Sequence, residues 1–478
     1  MKSFATIILA AGEGKRMQSP LPKVCHLVAG QPIISYPVRL ARELKGHPIV
    51  VVLSGNQERS KLVRECLHHC FPNGLKSNLS FAIQNKPLGT GDAVVAAKKA
   101  LSRFQGTILV LNGDVPLLKK NTVANLLKDH WQKKADLSLT STIFVNPKGY
   151  GRMIRDSSNQ FLRIVEEREA TPIQKKIKEI NAGIYAIESS FLFSALPLMK
   201  RNNQQKEYYL TDLAQIAIEQ EKKVYVHLVK DGKELMGINT QEERMEVERV
   251  AKKQKIKELI ANGVNIIDPE TTYVDSSVKI SSGAIIHPGC SLLGNTQIGK
   301  NAELGPYVIV ENSKIGSESK IKPFSVLEQA KLESKTEVGP FAHLRPGAVL
   351  KDEAKVGNFV ELKKTVMGKK SKANHLSYLG DSFIGEKSNI GAGTIMCNYD
   401  GFEKHVTQIG KEVFVGSDVQ FVAPVKVGEG ALIAAGTTVT KDVPAGSLAI
   451  SRTKQENKKD WAKKRNQHLR KKKLKKRS

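Results

Sequence analysis

The chain has 478 residues, 26% of them charged, and a formal net charge of +28. This length predicts two or three domains, each able to bury a core, and the lack of any run of roughly 20 apolar residues excludes a membrane-spanning segment. Five cysteines without a CxxC spacing predict free thiols in a reducing cytoplasm.

The predicted elements of the first part of the chain alternate between strand and helix. Strands are predicted at Thr6–Ala11, Pro48–Leu53 and Thr107–Leu111, and a helix at Ile34–Leu44. This alternation indicates an α/β fold with a doubly wound, Rossmann-like and mostly parallel sheet over residues 1–239. Ligands bind at the carboxyl ends of the strands in such a sheet, so we expect a site in the loops that follow them.

A glycine-rich loop follows the first strand. Gly12 and Gly14 lie in the run LAAGEGKRM, and Lys23 follows in PLPK. Glycines let the backbone approach a ligand, consecutive N–H groups bind an anion, and Arg16 and Lys23 add positive charge. The spacing is not GxGxxG, which disfavours a dinucleotide cofactor, and it is not GxxxxGK[ST], which excludes a P-loop. The loop therefore predicts a phosphate site.

Two cysteines further along the chain, Cys66 and Cys70, lie one helical turn apart with His68 and His69 between them. This spacing fits a metal site or, more simply, one face of a helix. We favour the helix face.

The glycine-rich loop also resembles a family signature. The pattern L-x-x-G-x-G-x-R-M with a downstream P-K is similar to that of the sugar-1-phosphate nucleotidyltransferases. Gln84–Ala93 resembles the segment of that family that selects uracil, Leu111–Pro116 a strand end with a metal-binding acid, and Tyr150–Arg152 part of the sugar pocket. The residues that the resemblance implies as contacts of UTP and its sugar product are Leu9, Ala10, Gly12, Gly14, Lys23, Gln84, Gly89, Thr90, Asn112, Gly113, Asp114, Gly151, Glu166, Asn181 and Asn239.

The resemblance implies a magnesium site as well. Asp114, after a strand, and Asn239, in MGINT, match the family's metal ligands, and Mg²⁺ prefers a few protein oxygens together with phosphate oxygens. The implied reaction is in-line attack by a sugar phosphate on the α-phosphorus of UTP. Arg16 and Lys23 would then be the catalytic cations that balance the developing charge.

Two charged segments flank the second half of the chain. Residues 240–263 are helix-prone and end in Asn262-Gly263, which predicts a helical linker arm. Residues 463–477 carry ten Lys or Arg and no acid, so we expect residues 453–478 to form a disordered basic tail. Such a block could bind nucleic acid or an anionic membrane, stay solvated, or dock on a neighbouring subunit. Since no RNA-binding motif is present, we predict no specific nucleic-acid partner.

An aliphatic side chain returns at every sixth position in three runs between residues 274 and 439. A period of six fits neither an α-helix nor a lone strand. It fits a hexapeptide β-helix, in which six residues form a short strand and turn one corner of a triangular prism. We therefore predict a left-handed parallel β-helix over residues 264–452. The predicted inward positions are Val274, Ile280, Ile286, Leu292, Ile298, Leu304 and Val310, then Val326, Leu332, Val338, Leu344, Leu350, Val356 and Leu362, then Ile409, Val415, Phe421, Val427, Ile433 and Val439.

The rhythm is interrupted twice. After Leu362 the phase meets Gly368 and Asn374, and between Met396 and Ile409 it slips by one residue. We interpret both interruptions as loops that leave the prism, and loops on a rigid scaffold often carry function.

A second group of polar residues lies around these interruptions. Its cations and phenol can surround a phosphomonoester, and its amides suit a polar substrate. Taken alone, His375, in NHLSYLGD, is better explained as a loop histidine than as a catalytic base, but its polar neighbours favour a catalytic role. The candidates for a phosphorylated substrate are Arg345, Lys363, Tyr378, Asn389, Asn398 and Lys404.

These residues are similar in type and order to the acetyltransferase half of the bifunctional bacterial family that makes UDP-N-acetylglucosamine. The resemblance runs from about residue 4 to Arg452. It implies acetyl transfer from acetyl-CoA to glucosamine-1-phosphate in the prism half and uridylyl transfer from UTP in the sheet half, for peptidoglycan and lipopolysaccharide precursors.

The same resemblance assigns roles within the prism half. It implies His375 as general base, Glu361 as the residue that orients it, and the Ala392 N–H as an oxyanion donor. It also implies a homotrimer whose acetyl sites are built from neighbouring subunits. The implied acetyl-CoA contacts are Ala392, Asn398, Tyr399, Ser417, Ala435 and Arg452.

Two other interpretations stay open at this point. One is a single-activity sugar-1-phosphate nucleotidyltransferase with a structural β-helix, and the other is a non-enzymatic scaffold that keeps the fold for trimerisation. The group around His375 disfavours the first, and Lys23 with Asp114 disfavours the second. Asn112, where relatives often have Tyr, and Ala182, where some have Thr, predict a looser uridylyl pocket with the same chemistry.

Overall fold

The structure, a computed structural model, describes residues 2–72 and 79–475. The chain divides into two compact units. The first comprises Met1–Leu259 with Tyr273–Val278, and the second comprises Ile260–Thr272 with Lys279–Ser478. The boundaries at 239, 263 and 452 stay predictions. Across the described ranges, no helix combines the length and apolarity that crossing a bilayer requires.

The first unit is an α/β structure. Its strands are β1 Phe4–Leu9, β2 Leu27–Val28, β3 Gln31–Pro32, β4 Ile49–Ser54, β5 Leu79–Gln84, β6 Thr107–Asn112, β7 Leu137–Ile143, β8 Arg152–Arg155, β9 Phe161–Val165, β10 Glu179–Glu188 and β11 Val224–Leu228. Its helices are α1 Ser35–Glu43, α2 Gln57–Cys70, α3 Thr90–Ala97, α4 Lys120–Lys133, α5 Ser189–Ala195, α6 Asp212–Glu219 and α7 Gln241–Ala261. The predicted strands and helix of this half are therefore all present, with ends shifted by at most two residues.

One mixed sheet organises this unit. The strand order is β11-β7-β10-β6-β1-β4-β5, with β8 beside β10 and β9 beside β8. Strands β6, β1, β4 and β5 are parallel, as the alternation predicted, whereas β10 runs antiparallel to both β6 and β7. Because β1, β4 and β6 are almost wholly buried, helices must cover both faces of the sheet. Val38, Val63 and Leu126 of α1, α2 and α4 pack on one face.

Two helix starts follow local sequence rules. Asn56 caps α2, since its Oδ1 accepts the Arg59 N–H at 3.0 Å. At α7, Thr240 and Glu243 form a reciprocal capping box: the Glu243 N–H donates to Thr240 Oγ1 at 3.2 Å, and the Thr240 N–H donates to Glu243 Oε2 at 3.1 Å. The helix predicted between the two halves therefore has a fixed start.

The second unit is a parallel β-helix. Its strands β12 to β39 are, in chain order, Asn265–Ile266, Tyr273–Val274, Lys279–Ile280, Ile285–Ile286, Ser291–Leu293, Gln297–Ile298, Glu303–Leu304, Ile309–Glu311, Lys314–Ile315, Lys320–Ile321, Val326–Glu328, Lys331–Leu332, Glu337–Val338, His343–Leu344, Val349–Leu350, Lys355–Asn358, Glu361–Met367, Lys372–His375, Tyr378–Ile384, Asn389–Ile390, Ile395–Cys397, Thr407–Ile409, Phe414–Val415, Gln420–Val422, Val425–Val427, Leu432–Ile433, Thr438–Val439 and Leu448–Ala449. By contact, β13 and the residues up to Val278 belong to the first unit. The strands form one sheet of 11 and one of 17 members, all paired in parallel.

Successive coils of the prism stack in register. Ile286 pairs with Leu304, Leu304 with Ile321, and Ile321 with Val338, so one coil takes 17 or 18 residues, or three strands with their corners. The inward residues are almost all buried, which confirms the hexapeptide prediction for the first and third runs.

The second run contains a correction. Val326 is only half-buried, whereas Leu327 is fully buried and pairs with the inward Val310 one coil earlier. Ile315 and Ile321 fill the two positions between them. The inward positions at 310 and 315 are five residues apart, because the corner between them is one residue shorter than in the regular repeat. A prediction that assumes a constant period of six residues cannot detect that change.

The two predicted loops have different outcomes. The chain does not leave the prism after Leu362: Met367, Ala373 and Leu379 continue the buried row at steps of five or six residues, so that prediction is wrong. A loop does leave the prism after Met396, where it is closed by an antiparallel bridge between Tyr399 and Lys404.

The basic tail also differs from its prediction. Residues Trp461–Lys475 form a helix, α8, rather than a disordered arm. The stretch contains neither Gly nor Pro and is rich in Lys, Arg, Gln and Leu, all strong helix formers. Its described side chains are exposed and include no acid.

Candidate functional site

The glycine-rich loop at the end of β1 is shaped by Gly14. This residue has φ 64°, and a Cβ there would lie 2.8 Å from the Lys23 Cβ, so only glycine lets the two segments approach. Gly14 begins a one-turn 3₁₀ helix, Lys15–Met17. At Gly12, by contrast, an added Cβ would meet no atom within 4 Å. The open side of the loop at Gly12 is where a phosphate has room to bind.

Lys23 connects three segments that are far apart in sequence. It begins a one-turn 3₁₀ helix, Lys23–Cys25, and its Nζ donates to Asp114 Oδ2 at 2.5 Å and to Asn239 Oδ1 at 3.1 Å. Asp114 follows β6 at the carboxyl edge of the sheet. Asn239 precedes α7, where its N–H donates to Glu243 Oε2 at 2.5 Å, so the α7 capping box also positions the metal-ligand candidate.

The Asp114 and Asn239 oxygens fit a hard divalent cation. Both already converge on one positive charge, the Lys23 ammonium. The described residues contain no group of three or more His, Cys, Asp or Glu that could hold a metal, so an ion here would take its remaining ligands from substrate and water. Mg²⁺ is usually bound in that way.

A cavity of about 190 Å³ opens beside this pair. Its walls include a buried hydrogen-bond network: Asn181 Nδ2 donates to the Tyr185 hydroxyl at 2.7 Å, and the Thr211 hydroxyl donates to Glu166 Oε1 at 2.9 Å. Burial raises the pKa of Glu166. The sequence-predicted residues that line the cavity are Leu9, Thr90, Asn112, Asp114, Gly151, Glu166, Asn181 and Asn239, and Ala182 lines it too.

Other predicted residues lie outside this lining. Arg152 is 1% exposed and donates to Glu167 Oε2 at 2.7 Å, so it supports the fold rather than facing the cavity. Gln84 is buried, and its amide donates to the Gly89 carbonyl at 2.9 Å and to Asp92 at 2.8 Å. Arg16 is exposed. The predicted residues that do not line the cavity are Ala10, Gly12, Gly14, Arg16, Lys23, Gln84, Gly89 and Gly113.

Sequence reasoning did not name Tyr185 or Thr211 for this cavity. Tyr185 lies four residues after Asn181 on β10, on the far side of an irregularity in strand pairing that brings both side chains together. A second cavity of about 600 Å³ shares Glu166 and Thr211 with the first. It contains Asp212, whose pKa is raised by burial and by Glu166 to about 6.

A cationic cluster lies on the β-helix. Arg345 Nη1 donates to Glu361 Oε1 at 2.8 Å, and Glu361 pairs in register with Tyr378 on the next coil. A hydrogen bond from Lys404, together with its charge, lowers the pKa of Lys363. Two adjacent ammonium groups are unfavourable unless an anion joins them, so this cluster fits a phosphate monoester.

Asn398 and Asn389 differ in their surroundings. Asn398 is buried, and its Nδ2 donates to Asp381 Oδ2 at 2.5 Å. The Asp381 charge partly offsets the lowering of the Lys363 pKa by Lys404. Asn389 instead lines a separate cavity of about 430 Å³ with four lysines, so the structure does not bring it to the cationic cluster. Those lysines are Lys355, Lys370, Lys372 and Lys387.

His375 has a partner that the sequence did not suggest. Its Nδ1 lies 2.6 Å from Asn358 Oδ1, and the two residues pair in register on adjacent coils. Glu361, predicted to orient His375, is engaged with Arg345 within this chain. His375 belongs to the 11-stranded sheet, whereas Glu361 and Tyr378 belong to the 17-stranded sheet.

The predicted acetyl-CoA residues form a ladder along the coils. The Asp418 N–H donates to the Ala392 carbonyl at 2.7 Å, the Gly436 N–H donates to the Ser417 carbonyl at 2.9 Å, and Arg452 Nη1 donates to the Ala435 carbonyl at 2.8 Å. Tyr399 lies in the loop that leaves the prism, where its hydroxyl donates to the Gly401 carbonyl. Four of the six predicted contacts therefore lie on consecutive coils.

The two units match transferase families. Residues 5–260 match the nucleotidyl transferase family, and residues 277–312 and 407–441 match the bacterial transferase hexapeptide repeat. The chain is thus a bifunctional enzyme with a nucleotidyltransferase domain and a hexapeptide transferase domain.

Curated relatives define the family more narrowly. The chain is 47% identical to the Bifunctional protein GlmU of Pelobacter propionicus over 96% of this chain and 98% of the relative. Identity to the proteins of the same name is 46% for Geobacter sulfurreducens and 39% for Alkaliphilus metalliredigens, over 96% and 95% of this chain and 98% and 97% of the relatives. The chain belongs to the bifunctional GlmU family.

Proposed function

We propose that the chain makes UDP-N-acetylglucosamine in two steps. The β-helix unit transfers acetyl from acetyl-CoA to glucosamine-1-phosphate, and the α/β unit then joins N-acetylglucosamine-1-phosphate to UTP with release of pyrophosphate. The product supplies peptidoglycan and lipopolysaccharide precursors. The observation that supports the proposal is a separate lysine-containing polar cluster in each unit: Lys23 with Asp114 and Asn239, and Lys363 with Lys404.

In the uridylyl step the protein acts by position and charge. Backbone N–H groups around Gly12 and the cations Arg16 and Lys23 bind the triphosphate and balance the charge that develops as the pyrophosphate leaves. Asp114 and Asn239 would hold Mg²⁺, which when bound supplies further neutralisation of phosphate charge. Glu166, Asn181 and the other cavity residues hold the sugar so that its phosphate oxygen is aligned for attack. No residue needs to form a covalent intermediate.

In the acetyl step the phosphate of glucosamine-1-phosphate binds Arg345, Lys363, Tyr378 and Lys404. The His375 Nδ1–H donates a hydrogen bond to Asn358 Oδ1, which leaves the Nε2 lone pair free. Nε2 takes a proton from the amine of glucosamine-1-phosphate while the nitrogen of that amine attacks the thioester carbonyl. The CoA thiolate then leaves. The Ala392 N–H stabilises the oxyanion.

We propose that a homotrimer completes the acetyl site. His375 and the phosphate-binding residues lie on different sheets of one prism, and Glu361 is not bonded to the His375 of its own chain. A corner of the prism also carries an exposed stack of four rings, with centroids 5.1 to 5.4 Å apart, that would gain from burial between subunits. The rings belong to Tyr307, Phe324, Phe341 and Phe359. Since acetyl-CoA and UTP are cytoplasmic metabolites, we place the enzyme in the cytoplasm.

A product assay tests the two-step proposal. Purified protein receives glucosamine-1-phosphate, acetyl-CoA, UTP and Mg²⁺, and free thiol and pyrophosphate are followed separately. We expect both products, with pyrophosphate dependent on acetyl-CoA. Pyrophosphate only when N-acetylglucosamine-1-phosphate is supplied, without thiol, would leave a uridylyltransferase with a structural β-helix.

A further inference from the structure

Two cysteines belong to one apolar cluster next to the one-turn helix that carries the phosphate-binding lysine. Cys25 is the last residue of the one-turn helix that Lys23 begins, and it is buried in the cluster that also contains Val63 and Leu67 of α2. Cys66 of α2 packs against the same cluster and is partly exposed. Cα atoms of the one-turn helix and α2 approach within 8 Å, which allows the two thiols to meet.

The two thiols have unequal reactivity. The neighbouring Cys66 thiol, together with burial, raises the pKa of Cys25, whereas the neighbouring Cys25 thiol lowers the pKa of Cys66. Thiolate is the form that reacts with oxidants. The partly exposed Cys66 is therefore the reactive cysteine, and the buried Cys25 is the resolving cysteine. Cys70 also lies on α2, but residues four apart on a helix have Cβ atoms about 5–6 Å apart. That separation is too long for a disulfide with Cys66.

We propose that Cys25 and Cys66 form a regulatory disulfide that displaces Lys23 and switches off uridylyl transfer. The oxidant is a hydroperoxide. The Cys66 thiolate attacks its outer oxygen, the O–O bond breaks, and an alcohol leaves after taking up a proton. The resulting sulfenic acid is attacked by the Cys25 sulfur, the S–O bond breaks, water leaves, and the S–S bond forms. Two thiols lose two electrons, and the hydroperoxide gains them.

Displacement of Lys23 follows from the geometry. Only Val24 separates Lys23 from Cys25, and the Cys25 N–H is tied to the Pro22 carbonyl at 2.8 Å. A covalent bond to α2 therefore pulls on the whole one-turn helix, while the Lys23 ammonium must reach Asp114 and Asn239 on the other side. A 1 Å misplacement of a positioning group costs on the order of 100-fold in rate. Reduction of the bond restores the contact, so the change is reversible.

The experiment treats the whole enzyme with hydrogen peroxide and then reads two quantities. The first is a disulfide-linked peptide that joins Cys25 and Cys66, by mass spectrometry. The second is pyrophosphate release with N-acetylglucosamine-1-phosphate and UTP, which avoids any effect of oxidising the exposed Cys397 on acetyl transfer. We expect the linked peptide to appear while pyrophosphate release falls ten-fold or more, on the scale of a misplaced positioning group. Dithiothreitol should remove the linked peptide and restore pyrophosphate release.

Cys66→Ser and Cys70→Ser form the matched pair. Peroxide should no longer inhibit Cys66→Ser, whereas Cys70→Ser should respond like the natural chain. Equal inhibition of Cys66→Ser, or absence of the Cys25–Cys66 peptide from the inhibited enzyme, would overturn the proposal. The consequence for activity rests on the proposed uridylyl transfer, whereas the linked peptide does not. Untreated enzyme without pyrophosphate release would therefore contradict the function, and a missing peptide would contradict the switch.

Discussion

Replacing Lys23 by Met removes the charge at the centre of the uridylyl site while keeping the length and apolar stem of the side chain. The Lys23 ammonium makes two hydrogen bonds, at 2.5 and 3.1 Å, and its side chain and that of Asp114 are only 13% and 20% exposed. Losing a hydrogen bond to a charged group costs about 1.5–3 kcal/mol of folding free energy. The larger effect is expected in catalysis, where removal of one preorganised charge-stabilising group lowers kcat by about 100- to 1,000-fold.

Lys15→Met is the matched control for this change. Lys15 lies in the same loop, but its side chain is 86% exposed and pairs with the nearby Glu13, so its loss should change activity little. Pyrophosphate release measures uridylyl transfer, free thiol measures acetyl transfer, and thermal unfolding reports the stability cost. We expect Lys23→Met to lose pyrophosphate release alone. Unchanged pyrophosphate release in Lys23→Met, or an equal loss in Lys15→Met, would refute the role given to Lys23.

Four further predictions test other parts of the account. Gly14→Ala forces a Cβ to 2.8 Å from that of Lys23 at a positive φ and should lower both stability and pyrophosphate release. Gly12→Ala meets no protein atom and should lower pyrophosphate release at unchanged melting temperature, and full activity would contradict a ligand at Gly12. Asn358→Ala removes the hydrogen-bond partner of His375 Nδ1 and should lower the rate of acetyl transfer about ten-fold or more, whereas Asn358→Asp should keep part of that rate. An unchanged rate in Asn358→Ala would exclude a role for Asn358 in positioning His375. Folding raises the pKa of Asp212 to about 6, so its ionised form destabilises the fold above that pH. Asp212→Asn should therefore raise the melting temperature at neutral pH, with a gain that shrinks as the pH falls below about 6, and a pH-independent gain would contradict this cause.

The sequence predicted those parts of the fold that depend on repeating local contacts. The aliphatic period of six identified the β-helix because each inward side chain must meet its equivalent on the next coil. It misplaced Val326, and it predicted a loop near Gly368, because a corner one residue shorter shifts the phase without breaking the coil. The sequence pattern could not predict strand direction in the α/β unit, because β10 is as apolar as its neighbours and yet runs antiparallel to them.

The candidate sites show the same division. The loop motif identified Lys23, the family resemblance added Asp114 and Asn239, and the structure brings the three together. Asn358 was missed because its relation to His375 is a register 17 residues long, which depends on the number of residues in the intervening corners. The family resemblance placed Arg152 in the sugar pocket, but Arg152 is buried and donates a hydrogen bond to Glu167. A residue that directly follows a pocket residue in sequence can therefore point its side chain into the core.

The central claim is that one chain carries two independent sites linked by a diffusible intermediate. Its most direct test uses His375→Ala and Asp114→Asn, each alone and mixed, with glucosamine-1-phosphate, acetyl-CoA, UTP and Mg²⁺, and follows UDP-N-acetylglucosamine. The account predicts thiol without pyrophosphate from Asp114→Asn. It predicts neither product from His375→Ala, pyrophosphate alone from that variant once N-acetylglucosamine-1-phosphate is added, and restored product from the mixture. Absence of thiol from folded Asp114→Asn, absence of pyrophosphate from folded His375→Ala with added N-acetylglucosamine-1-phosphate, or a mixture that stays inactive would contradict two separate sites.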